Sequence, residues 1–132
     1  MISQGDQGEF SAIAWLGWTC DSVAVPIGNC SDYDAVAEID GRLVKVQVKT
    51  SRQHIRNGRY GVTLCTRGGN QSWNRIVKRF TADRCDYLFV HIADGRRWFI
   101  PSDRVEGETS IIVGGPKYAA YEIEPGAPLT LS

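Results

Sequence analysis

The stretch Asp34-Ala-Val-Ala-Glu-Ile-Asp-Gly-Arg-Leu-Val-Lys-Val-Gln-Val-Lys49 decides the fold. Asp40-Gly41 lies between two alternating runs and signals a two-residue hairpin, because both turn positions must accept positive φ. Ile39 then faces Arg42, and counting back sets Asp34 opposite Gln47 and Asp32 opposite Lys49. Side chains alternate between faces, so Val44, Val46 and Val48 share one face with Ala35, Ala37 and Ile39. Lys45, Gln47 and Lys49 share the other with Asp34, Val36 and Glu38. Opposed Cβ atoms lie roughly 4.5 to 5.5 Å apart and diagonal ones about 7 to 8 Å. A divalent ion is therefore within reach of Asp34, Gln47 and Lys49.

Working outward, residues 3 to 18 read as a helix. Phe10, Ile13, Ala14 and Leu16, with Trp15 and Trp18 nearby, give an apolar stripe; Ser3 is the N-cap three positions before Asp6, and Gly17 helps to end the element. Glu9 sits near its start. Val23 and Val25 before Pro26 mark a short strand, and residues 28 to 31 form a turn leading to Asp32-Tyr33-Asp34. Asp32 rivals Asp34 on the polar face, but Asp34 directly precedes the apolar strand and lies opposite Gln47.

Beyond Lys49, a polar, basic run is closed by Asn57-Gly58, a second hairpin signal, and Tyr60 to Cys65 reads as a third strand of the same sheet. Residues 66 to 72 read as a basic loop, and Trp73 to Phe80 as a short amphipathic helix or an ordered basic loop. Asp86 to Pro101 is another hairpin, turning at Asp94-Gly95, whose apolar run Leu88 to Ile92 marks a central strand covered on both faces. His91 inside it reads as a satisfied structural histidine. Pro101 to Val105 is a helical turn, Ile111 to Val113 a late strand, and Tyr118 to Ser132 a weakly structured terminal arm.

The 132 residues suffice for one domain with a real core. No signal-peptide pattern or membrane-length apolar stretch is present, so a soluble, cytoplasmic protein is expected. Cys20, Cys30, Cys65 and Cys85 show no zinc-ligand spacing and read as small core residues. The 15 acidic and 15 basic residues cancel, yet they are segregated. Residues 1 to 41 hold seven acids and no Lys or Arg, whereas residues 42 to 84 hold eleven basic residues against one acid. A phosphate-tracking surface beside an acidic metal cluster produces such a pattern.

Gly8-Glu9, Asp34, Gln47-Val48-Lys49-Thr50, Asp86-Tyr87-Leu88-Phe89-Val90 and Trp98-Phe99-Ile100-Pro101, in that order over residues 8 to 101, resemble the PD-(D/E)xK nuclease superfamily. The resemblance points to its small branch that includes group I intron homing endonucleases of this fold. It implies an α/β restriction-endonuclease-like core, with a mixed central sheet of four to five strands flanked by helices. It implies a metal-dependent DNA endonuclease using Mg²⁺, with Mn²⁺ as a substitute. Glu9, Asp34 and Gln47 would be metal ligands, Gln47 replacing the usual second acid, and Lys49 the catalytic lysine. An amide oxygen can ligate Mg²⁺ although it brings no charge.

Lys45, Arg52, Arg56, Arg59, Arg67, Arg75, Lys78 and Arg79 are the candidates for phosphate contacts, which position DNA rather than read it. Gln53, His54, Asn57, Asn70 and Gln71 are candidates for reading base edges. One site per chain implies a homodimer or homotetramer for cutting both strands. The alternatives are a Holliday-junction resolvase of the same superfamily and a catalytically silent DNA-binding module.

Overall fold

A computed structural model describes residues 2–28, 32–64, 66–67, 77–78, 80 and 84–130. The element order is α1 (Gln4–Thr19), β1 (Ser22–Ala24), β2 (Ala35–Ile39), β3 (Arg42–Ser51), β4 (Gln53–Arg56), β5 (Arg59–Thr63), β6 (Thr66–Arg67), β7 (Val77–Lys78), β8 (Tyr87–Ile92), β9 (Arg97–Pro101), β10 (Ser110–Val113) and β11 (Glu122–Ile123). Short 3-10 helices cover Ser102–Arg104 and Pro116–Tyr121.

The β2–β3 hairpin turns at Asp40 (φ 51°) and Gly41 (φ 77°), which gives the expected register from Ile39↔Arg42 to Ala35↔Val46. Asp34 continues the ladder by donating its N–H to Val46 O at 2.8 Å. β3 then pairs in parallel with β8, and β8 antiparallel with β9. The result is a mixed six-stranded sheet in the order β1-β2-β3-β8-β9-β11.

Alternation along β3 and β8 separates two packed layers. Val44, Val46 and Phe89 pack under α1 with Ala12, Leu16, Ala35 and Ala37. On the opposite face Leu88, Val90, Ile92, Trp98 and Ile100 pack with Val62, Leu64, Ile111 and Val113. Val62, Ile111 and Val113 come from a second sheet of three strands, β10-β5-β4, and Leu64 directly follows β5. Burial on both faces is what the apolar run of β8 requires, and Leu88 to Ile92 are all buried.

Several expectations are corrected. β5 pairs with β4 and β10 rather than joining the main sheet, because Ser51 ends β3 with a hydroxyl that donates to Gly61 O and turns the chain across the sheet face. The main sheet has six strands, completed by β1 and β11 at its edges. The helix runs through Gly17 to Thr19 and buries Gly8, Ala12 and Leu16, whereas Phe10 and Trp18 are exposed. Gly8 and Ala12 make the first part of its inner face small, where it lies close against β3. The Trp73 to Phe80 reading falls mostly outside the described residues, although Val77–Lys78 is a strand paired with Thr66–Arg67. Residues 119–130 are ordered: β11 pairs with β9, and residues 124–130 are hydrogen-bonded to the body at several points. His91 is satisfied as expected, with Nδ1 2.8 Å from Ser11 Oγ and Nε2 2.7 Å from Ala127 O, which it meets as a donor.

Candidate active site

Asp34 stands where β2 begins, held by more than its backbone. Its Oδ2 accepts the Val48 N–H at 2.7 Å, across the ladder between Gln47 and Lys49. A charge-assisted bond to a backbone donor is worth roughly 1.5 to 3 kcal/mol, enough to fix the carboxylate's orientation. Gln47 and Lys49 flank that donor on β3, and alternation sends both to the face opposite α1. In the parallel pairing they lie beside Leu88 and Val90 of the central strand. The polar face of β3 thus adjoins an apolar core, and Asp34, Gln47 and Lys49 are all half-buried.

Glu9 arrives from the other side of β3. Ser3 caps α1 by accepting the Asp6 N–H at 3.1 Å, and Gln4 Nε2 donates to Thr50 Oγ1 at 2.8 Å. Gly8 allows the close approach: a Cβ there would stand 2.3 Å from Thr50 Cγ2 and 3.3 Å from Val48 Cγ1. The next residue, Glu9, is half-buried, and its carboxyl is held above the usual range by burial, then by the negative charges of Asp34 and Asp6. A carboxyl whose ionisation is opposed by burial and by neighbouring negative charge is what a cation relieves.

Glu9 and Asp34 open into one cavity of about 310 Å³, walled by Phe10, Ile13, Val25 and Tyr33, with Asp6 at its edge. Asp6 and Tyr33 were not anticipated as part of this site. Tyr33 carried a signal in directly preceding Asp34, and Lys45 Nζ lies 5.6 Å from its ring centroid. The structure separates the rival acids: Asp32 is exposed, whereas Asp34 is half-buried and anchored.

The two carboxylates that open into this cavity, Glu9 and Asp34, are donors that suit a hard divalent cation. Among the described residues no three His, Cys, Asp or Glu side chains form a metal-binding group.

The basic candidates are distributed unevenly. Arg56 and Arg59 are exposed on the β4–β5 hairpin, with Gln53, His54 and Asn57 beside them. Lys45 is half-buried, and Arg52 donates from Nη2 to Thr130 O. Asn70, Gln71, Arg75, Arg79 and the side chains of Arg67 and Lys78 lie outside the described residues.

The family model described as PD-(D/E)XK endonuclease matches residues 2–118. The chain belongs to the PD-(D/E)XK endonuclease family. It is therefore a nuclease, and the family's chemistry depends on divalent metal. No curated protein matches it in sequence. Among solved structures, a bacterial homing endonuclease, I-Ssp6803I, has a similar fold, with a TM-score of 0.77 and 23% identity over 90% of this chain and 86% of that one. MepB is a weaker likeness, with a TM-score of 0.44 and 12% identity over 77% of this chain and 76% of that one. No helix among the described residues is long and apolar enough to cross a membrane.

Proposed function

We propose that this endonuclease hydrolyses DNA phosphodiester bonds with Mg²⁺, Mn²⁺ serving in its place, and that it acts as a homing-type enzyme on duplex DNA. The observation that carries the reading is the bond from Val48 N–H to Asp34 Oδ2, which fixes one carboxylate between Gln47 and Lys49. The raised carboxyl of Glu9 supports a shared cation site. Likeness in fold to a bacterial homing endonuclease over 90% of the chain supports the duplex substrate.

Glu9, Asp34 and the Gln47 amide oxygen would hold the ion. When bound, it supplies positive charge to the scissile phosphate and lowers the pKa of coordinated water. Asp34 keeps its carboxylate oriented through Val48, so little reorganisation is left for the reaction. Lys49 places its ammonium Nζ on the same face as Gln47, where it orients the attacking water and offsets charge on the phosphate. Arg56 and Arg59, with Lys45, Arg52 and the basic residues of the 65–79 segment, contact phosphates along the duplex. Gln53, His54 and Asn57, exposed on the same hairpin, would meet base edges.

One chain carries one site, so cutting both strands calls for a homodimer or homotetramer. The test is a panel of supercoiled plasmid, linear duplex and four-way junctions incubated with Mg²⁺. Cleavage of plasmid and duplex at discrete positions is expected. Cleavage confined to junctions would instead establish a resolvase. Retardation of DNA without any cutting would establish a silent binding module.

A further inference from the structure

Residues 124–130 lie beyond the segment matched by the family model, yet they are bonded to the body along their length. Trp15 Nε1 donates to Glu124 Oε1 at 2.7 Å, and Arg97 Nε to Glu124 O at 3.0 Å. Gly126 N–H meets Gly95 O at 2.8 Å, His91 Nε2 meets Ala127 O, and Leu129 N–H meets Ala93 O at 3.0 Å. At the far end Gln7 makes a reciprocal pair with Thr130. Thr130 N–H donates to Gln7 Oε1 at 2.9 Å, and Gln7 Nε2 donates back to Thr130 O at 3.1 Å. Arg52, just past β3, donates to the same carbonyl. The strap therefore ties the first turns of α1 to the body and to the end of the strand that carries Gln47 and Lys49.

Gln7 and Glu9 are two residues apart on α1, so about 200° of rotation separates them around the axis. One side of the helix is held by the strap while the other delivers Glu9 towards Asp34. Between them Gly8 rests on Thr50 and Val48 and acts as a pivot. A contact without a side chain resists approach but not rolling, so the roll angle must be set elsewhere. With a side-chain radius of about 5 to 6 Å, a roll of about 10° displaces the Glu9 carboxylate by about 1 Å. A carboxylate displaced on that scale leaves the coordination distance that a divalent ion requires.

We propose that the C-terminal strap positions Glu9 for metal binding by fixing the roll of α1 through the reciprocal Gln7–Thr130 pair. Gln7 is then a positioning residue, acting through Glu9. The proposal rests on Glu9 being a metal ligand, as argued above.

The test is a double-mutant cycle on the full chain, read by calorimetric titration with Mn²⁺ and by the Mg²⁺ concentration for half-maximal plasmid cleavage. Gln7→Ala removes both bonds, together with the Gln7 Nε2 bond to Ile2 O, and leaves the rest of the strap in place. It should raise the metal midpoint about tenfold, with circular dichroism unchanged and cleavage recovered at saturating Mg²⁺. Placed in a Glu9→Gln background, the same substitution should add no further shift. An unchanged midpoint in Gln7→Ala, or an equal shift in both backgrounds, overturns the strap proposal while leaving the metal site intact. Wild-type protein that binds no Mn²⁺ overturns the site assignment and the strap proposal with it.

Discussion

Replacing Gly8 with alanine sets two effects of opposite sign against each other. In a helix interior, alanine is favoured over glycine by about 0.5 to 1 kcal/mol. The new Cβ, however, would stand 2.3 Å from Thr50 Cγ2, about 1 Å inside the 3.4 Å onset of ordinary contact. Thr50 is stiff at χ1, and its hydroxyl accepts the Gln4 bond, so turning it aside sacrifices that bond. Overpacking of this kind costs about 1 to 3 kcal/mol and the lost bond about 1 kcal/mol more. The clash wins, giving a net loss of about 1 to 3.5 kcal/mol.

Lifting α1 by about 1 Å also carries Glu9 away from Asp34, with cleavage falling about 10²-fold. Gly17 is the control, since a Cβ there meets nothing within 4 Å. Gly17→Ala should stabilise by up to about 1 kcal/mol and leave activity alone. Urea unfolding at neutral pH and plasmid cleavage measure both variants. If Gly8→Ala proved as stabilising as Gly17→Ala and cut at the wild-type rate, the close approach of α1 to β3 would be refuted.

Two pH dependences follow from buried groups. Because the Glu9 carboxyl is raised, the folded state keeps a proton that the unfolded chain releases near 4.5. Metal-free stability should therefore fall as pH climbs from that value through the raised one, and Glu9→Gln should flatten this slope in urea titrations. Burial lowers the His91 pKa, with the Arg97 charge adding to the effect, so the ring stays neutral in the fold. Stability should drop as pH falls below 6.5, where the unfolded chain takes up the proton. Thermal melts of His91→Gln, lower overall, should lose that dependence.

The hairpin and its register from Ile39↔Arg42 to Ala35↔Val46 were readable because Asp40-Gly41 and the alternating valines are local signals; beyond Ala35 the count fails to predict the bonding, since Asp34 N–H goes to Val46 O. Leu88 to Ile92 likewise announced a central strand through continuous apolarity. The sheet that β5 joins was not readable, since Tyr60 to Thr63 alternate equally well in either sheet, and only long-range pairing with Ser110–Val113 decides. The inner face of α1 was misread for a related reason. Leu16 was read correctly, but large apolar residues drew attention to Phe10 and Trp18, whereas proximity to β3 also selected Gly8 and Ala12. The strap escaped notice because Pro125, Gly126 and Pro128 carry no periodicity; its order comes from bonds to Gln7, His91 and Arg97. Glu9 and Asp34 could be named, but their shared cavity could not, because Tyr33 and Val25 join it only through the fold.

The most direct measurement compares Mg²⁺-dependent plasmid cleavage by the wild type, Asp34→Asn and Lys49→Ala, with gel retardation of the same DNA. Asparagine at position 34 can still accept the Val48 N–H, so the fold is preserved while the charge is lost. The wild type should cut, and each variant should lose about 10² to 10⁴-fold in rate while retarding DNA as before. Cleavage at the wild-type rate by either folded variant would contradict a nuclease centre built on Asp34 and Lys49.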